Sequence, residues 1–331
     1  MSCRALIICP PGFEGHVFPP AVLAEISRSA ERPWPVLDPV KWKEAREEIS
    51  GADVILSTWG MPVLDRDFLD AAPALKAVFY AAGSVKGFVT DACWERRIIV
   101  SSAWAANGVP VAEYSLATIL LSLKRFWHYS RMMRDGAAEH AGLHVPGGYQ
   151  SKVGLVSLGA VGRATARMLR PLDVTLLAYD PFLPEEQAAE LQVGLVSLEA
   201  LFRECDVISV HAPWIPETER MITGDLIASM KHGATLINTS RGAVIAEDEM
   251  IGVLRDRPDL SAVLDVTFPE PAAADSPLRS LPNVVLTPHI AGSMQGECAR
   301  MGSWMADELR RFVDRAPLRY EITKAMLAKM A

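Results

Sequence analysis

Three stretches of the sequence carry side chains suited to acid and base chemistry on a small organic anion. They are INTSRGAVI (residues 237–245), LDVTFPEP (264–271) and LTPHIAG (286–292), and they contain Arg241, Asp265, Glu270 and His289. Each stretch begins at the end of a short apolar run that is typical of a buried strand. In an open α/β sheet the carboxyl ends of the strands border the ligand crevice. We therefore expect these four side chains to converge on one crevice.

A fourth stretch, KVGLVSLGAVGRATARML (residues 152–169), predicts a buried strand, a tight turn and the start of a helix. It lacks the first glycine of the fingerprint G-x-G-x-x-G, because Ser157 stands there, but it retains Gly159 and Gly162. In that fingerprint the second glycine lets the backbone approach a pyrophosphate and the third lets the helix pack on the strand. A left-handed backbone at Ser157 would cost about 1 kcal/mol. The helix expected from about Val161 would direct its free N–H groups at an anion.

A second predicted strand ends at Asp180, 18 residues after Gly162. A carboxylate at about this spacing binds the ribose hydroxyls of a dinucleotide and repels a 2′-phosphate, so the sequence favours NAD over NADP. The alternative is that Asp180 only begins a turn before Pro181.

Short apolar runs alternate with helical stretches along the whole chain, which indicates an α/β protein with parallel sheets covered on both faces. Two series are separated by a long helical segment at about residues 109–131 and by the glycine- and proline-containing residues 136–148. A last helix is expected over about residues 295–314. The predicted strands are residues 5–9, 54–57, 77–80, 98–100, 153–158, 174–179, 207–210, 235–238, 262–266 and 284–286.

Length and charge limit the possible functions. A chain of 331 residues, half of them apolar, is long enough for two cores. Its 33 basic and 40 acidic side chains give a net charge of −7, which disfavours nucleic acids and anionic lipid as partners. The apolar residues 5–9 are too short for a signal sequence, residues 116–123 are too short to span a bilayer, and the five cysteines include no C-x-x-C. We expect a soluble, cytoplasmic protein without disulfides.

Taken in order and spacing, the motifs resemble those of the D-isomer-specific 2-hydroxyacid dehydrogenases. The resemblance covers most of the chain. It rests on the stretches above together with AAGSVKG (81–87), NGVPVAEYSLATILLSLKR (107–125), HAPWIPETERMI (211–222) and MKHGATLINTSRG (230–242).

The resemblance implies two doubly wound parallel-sheet domains, with a Rossmann NAD-binding domain inserted in a flavodoxin-like substrate domain. The substrate domain would comprise residues 1–106 and 295–331, and the NAD-binding domain residues 107–294. A dimerisation helix and arm at about residues 109–150 would make the protein a homodimer.

The resemblance also assigns roles in oxidising a 2-hydroxy acid or reducing a 2-oxo acid. His289 would be the general acid and base, because histidine ordinarily exchanges protons near neutral pH. Glu270 would fix its tautomer and stabilise the imidazolium, and Arg241 would bind the substrate carboxylate through its planar fork. Each residue alone has an ordinary structural explanation, so the prediction rests on the set.

Further contacts are implied at both ligands. Asp265 would contact the nicotinamide carboxamide, and backbone N–H groups of the first domain would bind the substrate carboxylate, so that domain closure would complete the site. The predicted NAD-binding residues are Gly159, Ala160, Val161, Gly162, Asp180, Thr239, Asp265 and Gly292, and the predicted carboxylate-binding residues are Ala82, Gly83 and Ser84.

The substrate stays open at this point. Residues 54–64, which include Trp59 and Met61, contain no Lys or Arg, whereas Lys86 lies close to the carboxylate-binding loop. Glyoxylate, hydroxypyruvate or another small 2-oxo acid is favoured, and D-3-phosphoglycerate is the alternative. Formate is disfavoured because the formate branch pairs its histidine with glutamine. A non-enzymatic NAD-sensing scaffold, like the corepressors built on this fold, is the alternative of another class.

Three other features are assigned no function. His140 and His144 have helical metal-ligand spacing, but Gly142 and Pro146 argue for a loop, so no metal site is predicted. His211 resembles a residue beside the family's adenine pocket, and packing explains it equally well. The aromatic residues at 126, 127 and 129 favour a buried subunit contact.

Overall fold

The computed structural model describes residues 3–31, 36–136, 144–328 and 330. Within them, the strands are β1 (Ala5–Ile8), β2 (Val54–Ser57), β3 (Ala77–Tyr80), β4 (Ile99–Ser102), β5 (Lys152–Val156), β6 (Thr175–Tyr179), β7 (Gly194–Leu195), β8 (Val207–Val210), β9 (Thr235–Asn238), β10 (Ser261–Leu264), β11 (Val284–Leu286) and β12 (Glu321–Ile322).

The helices begin with α1 (Glu14–Val17), α2 (Pro20–Ser29), α3 (Arg46–Ser50), α4 (Arg66–Ala71), α5 (Asp91–Glu95), α6 (Trp104–Leu123) and α7 (Phe126–Arg134). They continue with α8 (Ala160–Leu169), α9 (Glu185–Glu190), α10 (Leu198–Glu204), α11 (Gly224–Ala228), α12 (Glu247–Asp256), α13 (Cys298–Val313) and α14 (Lys324–Leu327). Short 3₁₀ turns lie at Pro39–Glu44, Gly242–Val244, Pro277–Arg279 and Gln295–Glu297.

The chain divides into two compact units. The first contains the residues before Val109 and those from Ser293 to Met330, and the second runs from Val109 to Gly292. Each unit has its own sheet and its own apolar core on both faces of that sheet. The α/β class and the two parallel-sheet domains predicted from the sequence are confirmed.

The sheet of the first unit has the order β1-β2-β3-β4-β12, and its first four strands are parallel. Single bridges from Arg4 to Glu31 and from Ile8 to Leu37 place the chain after α2 on the other side of β1. The resulting order is the 2-1-3-4-5 of flavodoxin-like sheets. Strand β12 pairs antiparallel with β4 at the far edge, and it is absent from the predicted strands because a two-residue strand shows no periodicity.

The sheet of the second unit is parallel throughout, with the order β11-β10-β9-β8-β5-β6-β7. Neighbouring residues of one strand enter opposite cores, as Leu155 and Val156 do on β5, because successive side chains of a strand point to opposite faces. The strand order reverses between β5 and β8, which is the switch point of a Rossmann sheet. The carboxyl ends of these strands are therefore the expected ligand-binding edge.

The long helix predicted over residues 109–131 was wrong in its start and in its continuity. Helix α6 begins five residues earlier, at Trp104, and contains Pro110 in its interior. It ends before Arg125, whose backbone is left-handed with a φ of 49°, and α7 begins at the next residue. The buried Arg125 side chain packs so closely on Gly233 that a Cβ there would lie 2.5 Å from the guanidinium carbon. This packing on a residue distant in sequence explains a break that local periodicity could not indicate.

Helix α13 covers most of the predicted last helix and belongs to the first unit. Gly302 packs it against α1, because a Cβ at that position would meet the Val17 carbonyl oxygen at 1.8 Å. Residues 137–143, the centre of the predicted arm and the position of His140, lie outside the described residues. No helix in the described part of the chain is both long and apolar enough to cross a bilayer.

Candidate active site

The loop that carries His289 is held in place by the buried carboxylate of Asp265. Asp265 Oδ1 accepts hydrogen bonds from Thr287 Oγ1 at 2.6 Å and from the backbone N–H of Ile290 at 2.8 Å, and Oδ2 accepts one from the N–H of Ala291 at 2.9 Å. The His289 N–H donates to the Asp265 carbonyl oxygen at 2.9 Å. Asp265, the predicted nicotinamide contact, is thus only 1% exposed, and its hydrogen bonds hold the loop that carries His289.

His289 has a left-handed backbone, with a φ of 56°. Such a conformation is uncommon for a residue other than glycine and is stable only when its surroundings enforce it. The Nδ1 atom of its ring lies 2.6 Å from Glu270 Oε1, and both side chains are partly exposed. Because the carboxylate engages Nδ1, Nε2 is the ring nitrogen left to exchange a proton with a ligand.

Arg241 follows β9 in a turn built by Asn238. The buried Asn238 side chain accepts hydrogen bonds from the Ser240 backbone N–H and hydroxyl at 3.0 and 2.8 Å, and its Nδ2 donates to the Arg241 carbonyl oxygen at 3.0 Å. The guanidinium donates one hydrogen bond to the Ser240 carbonyl oxygen at 2.7 Å. An asparagine that binds its own backbone two residues on forms a recognised turn, so Asn238 is the local sequence signal for this turn.

The loops of Arg241 and Glu270 are packed backbone against backbone. A Cβ on Gly242 would lie 2.1 Å from the carbonyl carbon of Thr267, so no other residue fits there. Burial lowers the pKa of the Arg241 guanidinium, and the charge of Glu270 acts in the opposite direction. Since Glu270 also contacts His289, the structure brings these three predicted residues together in one unit.

Two further residues support this arrangement, and neither is among the residues predicted from the sequence. Glu247, at the start of α12, accepts a hydrogen bond from the Phe268 N–H at 2.9 Å, and burial raises the pKa of its carboxyl group. Tyr114 on α6 lies 3.1 Å from Thr287, hydroxyl to hydroxyl. Neither position stands at a strand end, so the pattern of apolar strands does not indicate them.

The turn after β5, which contains Gly159 and Gly162, has a left-handed residue and close packing between helix and strand. Ser157 is left-handed, with a φ of 74°. A Cβ on Gly162 would lie 2.2 Å from the Ser157 carbonyl oxygen, so close helix packing explains that glycine. A Cβ on Gly159 would meet no described atom within 4 Å, and no side chain caps the start of α8. The fold itself does not require glycine at 159, which fits close approach of a ligand to its backbone.

Asp180 lies directly beside this turn. Its Oδ2 accepts a hydrogen bond from the Leu158 N–H at 2.7 Å, and its Oδ1 accepts one from the Phe182 N–H at 2.9 Å. The second bond is the turn before proline that the alternative interpretation expected. The first bond places the carboxylate next to the predicted pyrophosphate turn.

The loop after β3 in the first unit has its carbonyl groups directed inward. The buried hydroxyl of Thr58 donates to the Ala81 carbonyl oxygen at 3.1 Å, and the buried hydroxyl of Ser102 donates to those of Ala82 and Gly83 at 3.0 and 2.5 Å. In a trans peptide the N–H of the next residue points opposite to the carbonyl. The N–H groups of residues 82–84 therefore point away from these hydroxyls, and Gly83 and Ser84 are partly exposed.

The remaining predicted contacts differ in their surroundings. Thr239 is nearly buried, with its hydroxyl 3.4 Å from that of Ser115, and Gly292 is partly exposed.

His211 has both ring nitrogens buried without a hydrogen-bond partner among the described residues, and burial lowers its pKa to about 4. Among the described residues there is no group of His, Cys, Asp and Glu that could hold a metal ion. Phe126 is exposed rather than buried within the chain.

The second unit is thus a Rossmann-type unit that carries the hydrogen-bonded pair of His289 and Glu270. Residues 116–291 match the family model described as "D-isomer specific 2-hydroxyacid dehydrogenase, NAD binding domain". The chain belongs to the D-isomer specific 2-hydroxyacid dehydrogenase family. The family resemblance and the Rossmann domain inferred from the sequence are confirmed.

The chain is similar to proteins and solved structures that are named as dehydrogenases of different substrates. The (S)-sulfolactate dehydrogenase of Chromohalobacter salexigens is 34% identical over 249 residues, which cover 75% of this chain and 81% of that protein. The D-3-phosphoglycerate dehydrogenase of Archaeoglobus fulgidus is 31% identical over 259 residues, or 77% of this chain and 49% of that protein. The chain spans about half the length of that phosphoglycerate dehydrogenase. The NAD-dependent formate dehydrogenase of Staphylococcus aureus, solved with NAD, superimposes with a TM-score of 0.72 at 28% identity over 96% of each chain.

Proposed function

We propose that the chain is an NAD(H)-dependent oxidoreductase that interconverts a small 2-oxo acid and its D-2-hydroxy acid. The observation that carries the proposal is the pair of His289 Nδ1 and Glu270 Oε1 at 2.6 Å, in the unit that matches the family's NAD-binding domain. A carboxylate on one ring nitrogen stabilises the imidazolium and leaves the other nitrogen for the substrate.

In this proposal, proton transfer and carboxylate binding are performed by different side chains. In the reducing direction, His289 donates the proton on Nε2 to the carbonyl oxygen of the substrate, and in the oxidising direction Nε2 takes the hydroxyl proton back. Arg241 binds the substrate carboxylate and polarises the neighbouring carbonyl through a charge that stays in place at all working pH values. Within the first unit, we propose the backbone N–H groups of Ala82, Gly83 and Ser84 as donors for a substrate carboxylate.

The residues at the glycine turn fit a dinucleotide. Gly159 has an open backbone, and the uncapped start of α8 at Ala160 and Val161 leaves N–H groups for a pyrophosphate. When bound, NAD(H) supplies or accepts the hydride. We propose Asp265, Thr239 and Gly292 as residues that line the nicotinamide side, with Asp265 acting at the same time as the support of the His289 loop.

We propose that Asp180 selects NAD over NADP. In the variant Asp180→Ser, the ratio of kcat/KM for NADH to that for NADPH should fall by about tenfold or more. The substitution removes a carboxylate that accepts hydrogen bonds from the ribose hydroxyls of NAD and repels the 2′-phosphate of NADP. A loss of about 1.4 kcal/mol in this discrimination corresponds to a factor of ten. The neighbouring Arg163, which donates to the Leu158 carbonyl oxygen at 2.7 Å, places a positive charge beside the turn. Steady-state kinetics with both cofactors measure the ratio.

The matched control for this measurement is Asp173→Ser, a substitution of another aspartate of the same unit that lies outside the glycine turn. It should leave the ratio of the two kcat/KM values as it is in the wild type. An unchanged ratio in Asp180→Ser would remove the ribose contact from the proposal.

The proposed function is tested by the oxidation of NADH with a panel of 2-oxo acids, namely glyoxylate, hydroxypyruvate, pyruvate, phenylpyruvate and 3-phosphohydroxypyruvate. Turnover that forms the D-hydroxy acid supports the proposal. Turnover restricted to 3-phosphohydroxypyruvate would identify the phosphoglycerate activity named for several relatives. No turnover on any acid, together with NAD-dependent binding of a protein partner, would favour the scaffold.

We further propose that the protein is a homodimer that buries the exposed faces of α6 and α7. Leu120, Leu121, Phe126 and Met133 are large apolar side chains left exposed on these two helices. Large apolar side chains left exposed near one another in sequence can belong to an interaction surface. Sedimentation equilibrium should give twice the chain mass of 36.1 kDa, and a monomer at micromolar concentration would refute this assembly.

A further inference from the structure

The loop after β10 carries Glu270, whose side chain is not held in place by burial. It is 39% exposed, and the side chain of its partner His289 is 45% exposed. Packing alone therefore does not fix the 2.6 Å contact between Glu270 Oε1 and His289 Nδ1, so the two backbone segments must be held separately. The hydrogen bonds of Asp265 hold the segment of His289. The segment of Glu270 has a support of its own.

That support is Glu247, the first residue of α12. Its Oε2 atom accepts a hydrogen bond at 2.9 Å from the backbone N–H of Phe268, two residues before Glu270. Helix α12 is fixed in an apolar core of the second unit through Met250 and Leu254, which are 1% and 2% exposed. Side chains on helices and strands are placed more precisely than those on loops. Glu247 thus ties the segment of Glu270 to an element that is itself fixed.

The backbone of residues 267–270 is restrained around this contact. The Thr267 hydroxyl donates to the Pro269 carbonyl oxygen at 2.8 Å. A Cβ on Gly242 would lie 2.6 Å from the Phe268 nitrogen, so this side of the segment is closely packed. The Phe268 ring does not fix the segment by burial, since 51% of the residue is exposed. The hydrogen bond to Glu247 is therefore a main restraint on the position of the segment.

A carboxylate at the start of a helix has an ordinary explanation, because it complements the helix dipole. Asp248, the next residue, fits that explanation, since its side chain is 70% exposed and pairs with Arg220 at 2.8 Å. Glu247 does not, because burial raises the pKa of its carboxyl group, while the hydrogen bond from Phe268 acts in the opposite direction. A charge that served only the helix would be more stable in solvent. The contact with Phe268 explains why Glu247 is drawn inward.

We propose that Glu247 is a positioning residue that keeps Glu270 in contact with His289. This inference rests on the proposed function and adds a residue that touches neither substrate nor cofactor. Glu270 stabilises the imidazolium that donates the proton in 2-oxo acid reduction. When the Phe268 N–H loses its acceptor, the segment of Glu270 is free to shift, and proton transfer from His289 becomes slower.

The test compares Glu247→Asp with Glu247→Gln in NADH-dependent reduction of the best substrate of the panel above. Aspartate keeps the charge and suits a helix start, but its shorter side chain does not reach the Phe268 N–H. Glutamine loses the charge but keeps an acceptor oxygen at the same reach. The kcat of Glu247→Asp should fall by about tenfold or more, since a misplacement of about 1 Å can cost about 100-fold. The kcat of Glu247→Gln should stay within about threefold of the wild type, because a neutral hydrogen bond has roughly half the strength of a charge-assisted one.

Two further readouts separate positioning from a general loss of structure. In Glu247→Asp the KM for the 2-oxo acid and the affinity for NADH should stay near the wild-type values, because the turn built by Asn238 holds Arg241. Reduction requires the imidazolium, so a displaced Glu270 should move the decline of kcat to lower pH. Arg241, the charged group that faces Glu270 from the loop after β9, keeps its charge throughout this range. The pH profile of Glu247→Gln should match that of the wild type.

The matched control is Asp248→Asn, which removes a charge from the adjacent residue of the same helix and should keep the wild-type kcat and pH profile. Wild-type kcat in Glu247→Asp overturns the inference. So does a lower kcat in Glu247→Gln than in Glu247→Asp, since charge would then matter more than reach. A joint loss of kcat, substrate affinity and NADH affinity in Glu247→Asp overturns it as well. No turnover by the wild-type protein on any acid refutes the proposed function, and the inference with it, before any variant is measured.

Discussion

Replacing His289 with glutamine should lower kcat for 2-oxo acid reduction by about 10²- to 10⁴-fold, which is the usual contribution of a positioned proton donor. Glutamine can still hydrogen-bond, but it cannot release a proton to the substrate oxygen. Because the His289 loop is held through Asp265 and not through the imidazole, we expect the loop to keep its shape in the variant. The affinity for NADH, measured by fluorescence titration, should therefore stay close to the wild-type value.

The split between turnover and cofactor affinity separates a chemical role from a structural one. A variant that merely unfolds the loop would lose kcat and NADH affinity together. His232→Gln is the matched control, since His232 is an exposed histidine of the same unit whose ring contacts Asp259 at 3.2 Å. It should turn over like the wild type. Wild-type turnover in His289→Gln would refute the assigned proton transfer.

The positions of the reacting groups are predictable from the sequence because they follow strands that are apolar throughout. Buried parallel strands are the most visible local pattern in an α/β chain, and their ends define the ligand edge. Arg241, Glu270 and His289 could be placed at that edge from spacing alone, and the structure brings them together. Their roles remain predictions until kinetics test them.

The support of these groups could not be predicted, because it depends on pairs of residues far apart in sequence. The family resemblance implies a cofactor contact at Asp265, yet its carboxylate also accepts three hydrogen bonds from the residues that flank His289. Tyr114 reaches Thr287 from 173 positions away. Local patterns do not contain such pairings. The same reason explains the wrong continuous helix over residues 109–131, since Arg125 owes its position to packing on Gly233.

The structure distinguishes Gly159 from Gly162, which the sequence motif treats alike. In the turn after β5, Gly162 is required by the chain itself, because a Cβ would meet the Ser157 carbonyl oxygen. Gly159 meets no such requirement. The sequence motif treats both as fingerprint positions, whereas the packing of the described residues requires glycine at 162 and not at 159. An alanine at 159 should therefore affect binding of the cofactor more than it affects stability.

Replacing Arg241 with lysine should lower kcat/KM for 2-oxo acids by about 10- to 100-fold. A charge-assisted hydrogen bond contributes about 1.5–3 kcal/mol, and 1.36 kcal/mol corresponds to tenfold, so loss of one arm of a bidentate contact accounts for the range. Lysine keeps a positive charge but offers no planar fork that matches a carboxylate. Steady-state kinetics with varied 2-oxo acid at saturating NADH measure the loss.

The pH dependence of this variant distinguishes the fork from the charge. Burial lowers the pKa of the group at position 241, and lysine has an ordinary pKa near 10.4, lower than that of arginine. As pH rises, lysine at this position should lose its proton and its hold on the substrate carboxylate before arginine does, so kcat/KM of Arg241→Lys should decline at lower pH than that of the wild type. Arg255→Lys, at an exposed position on α12, is the matched control and should reproduce the wild-type profile. Identical profiles and identical kcat/KM in Arg241→Lys and the wild type would mean that the substrate carboxylate is bound elsewhere.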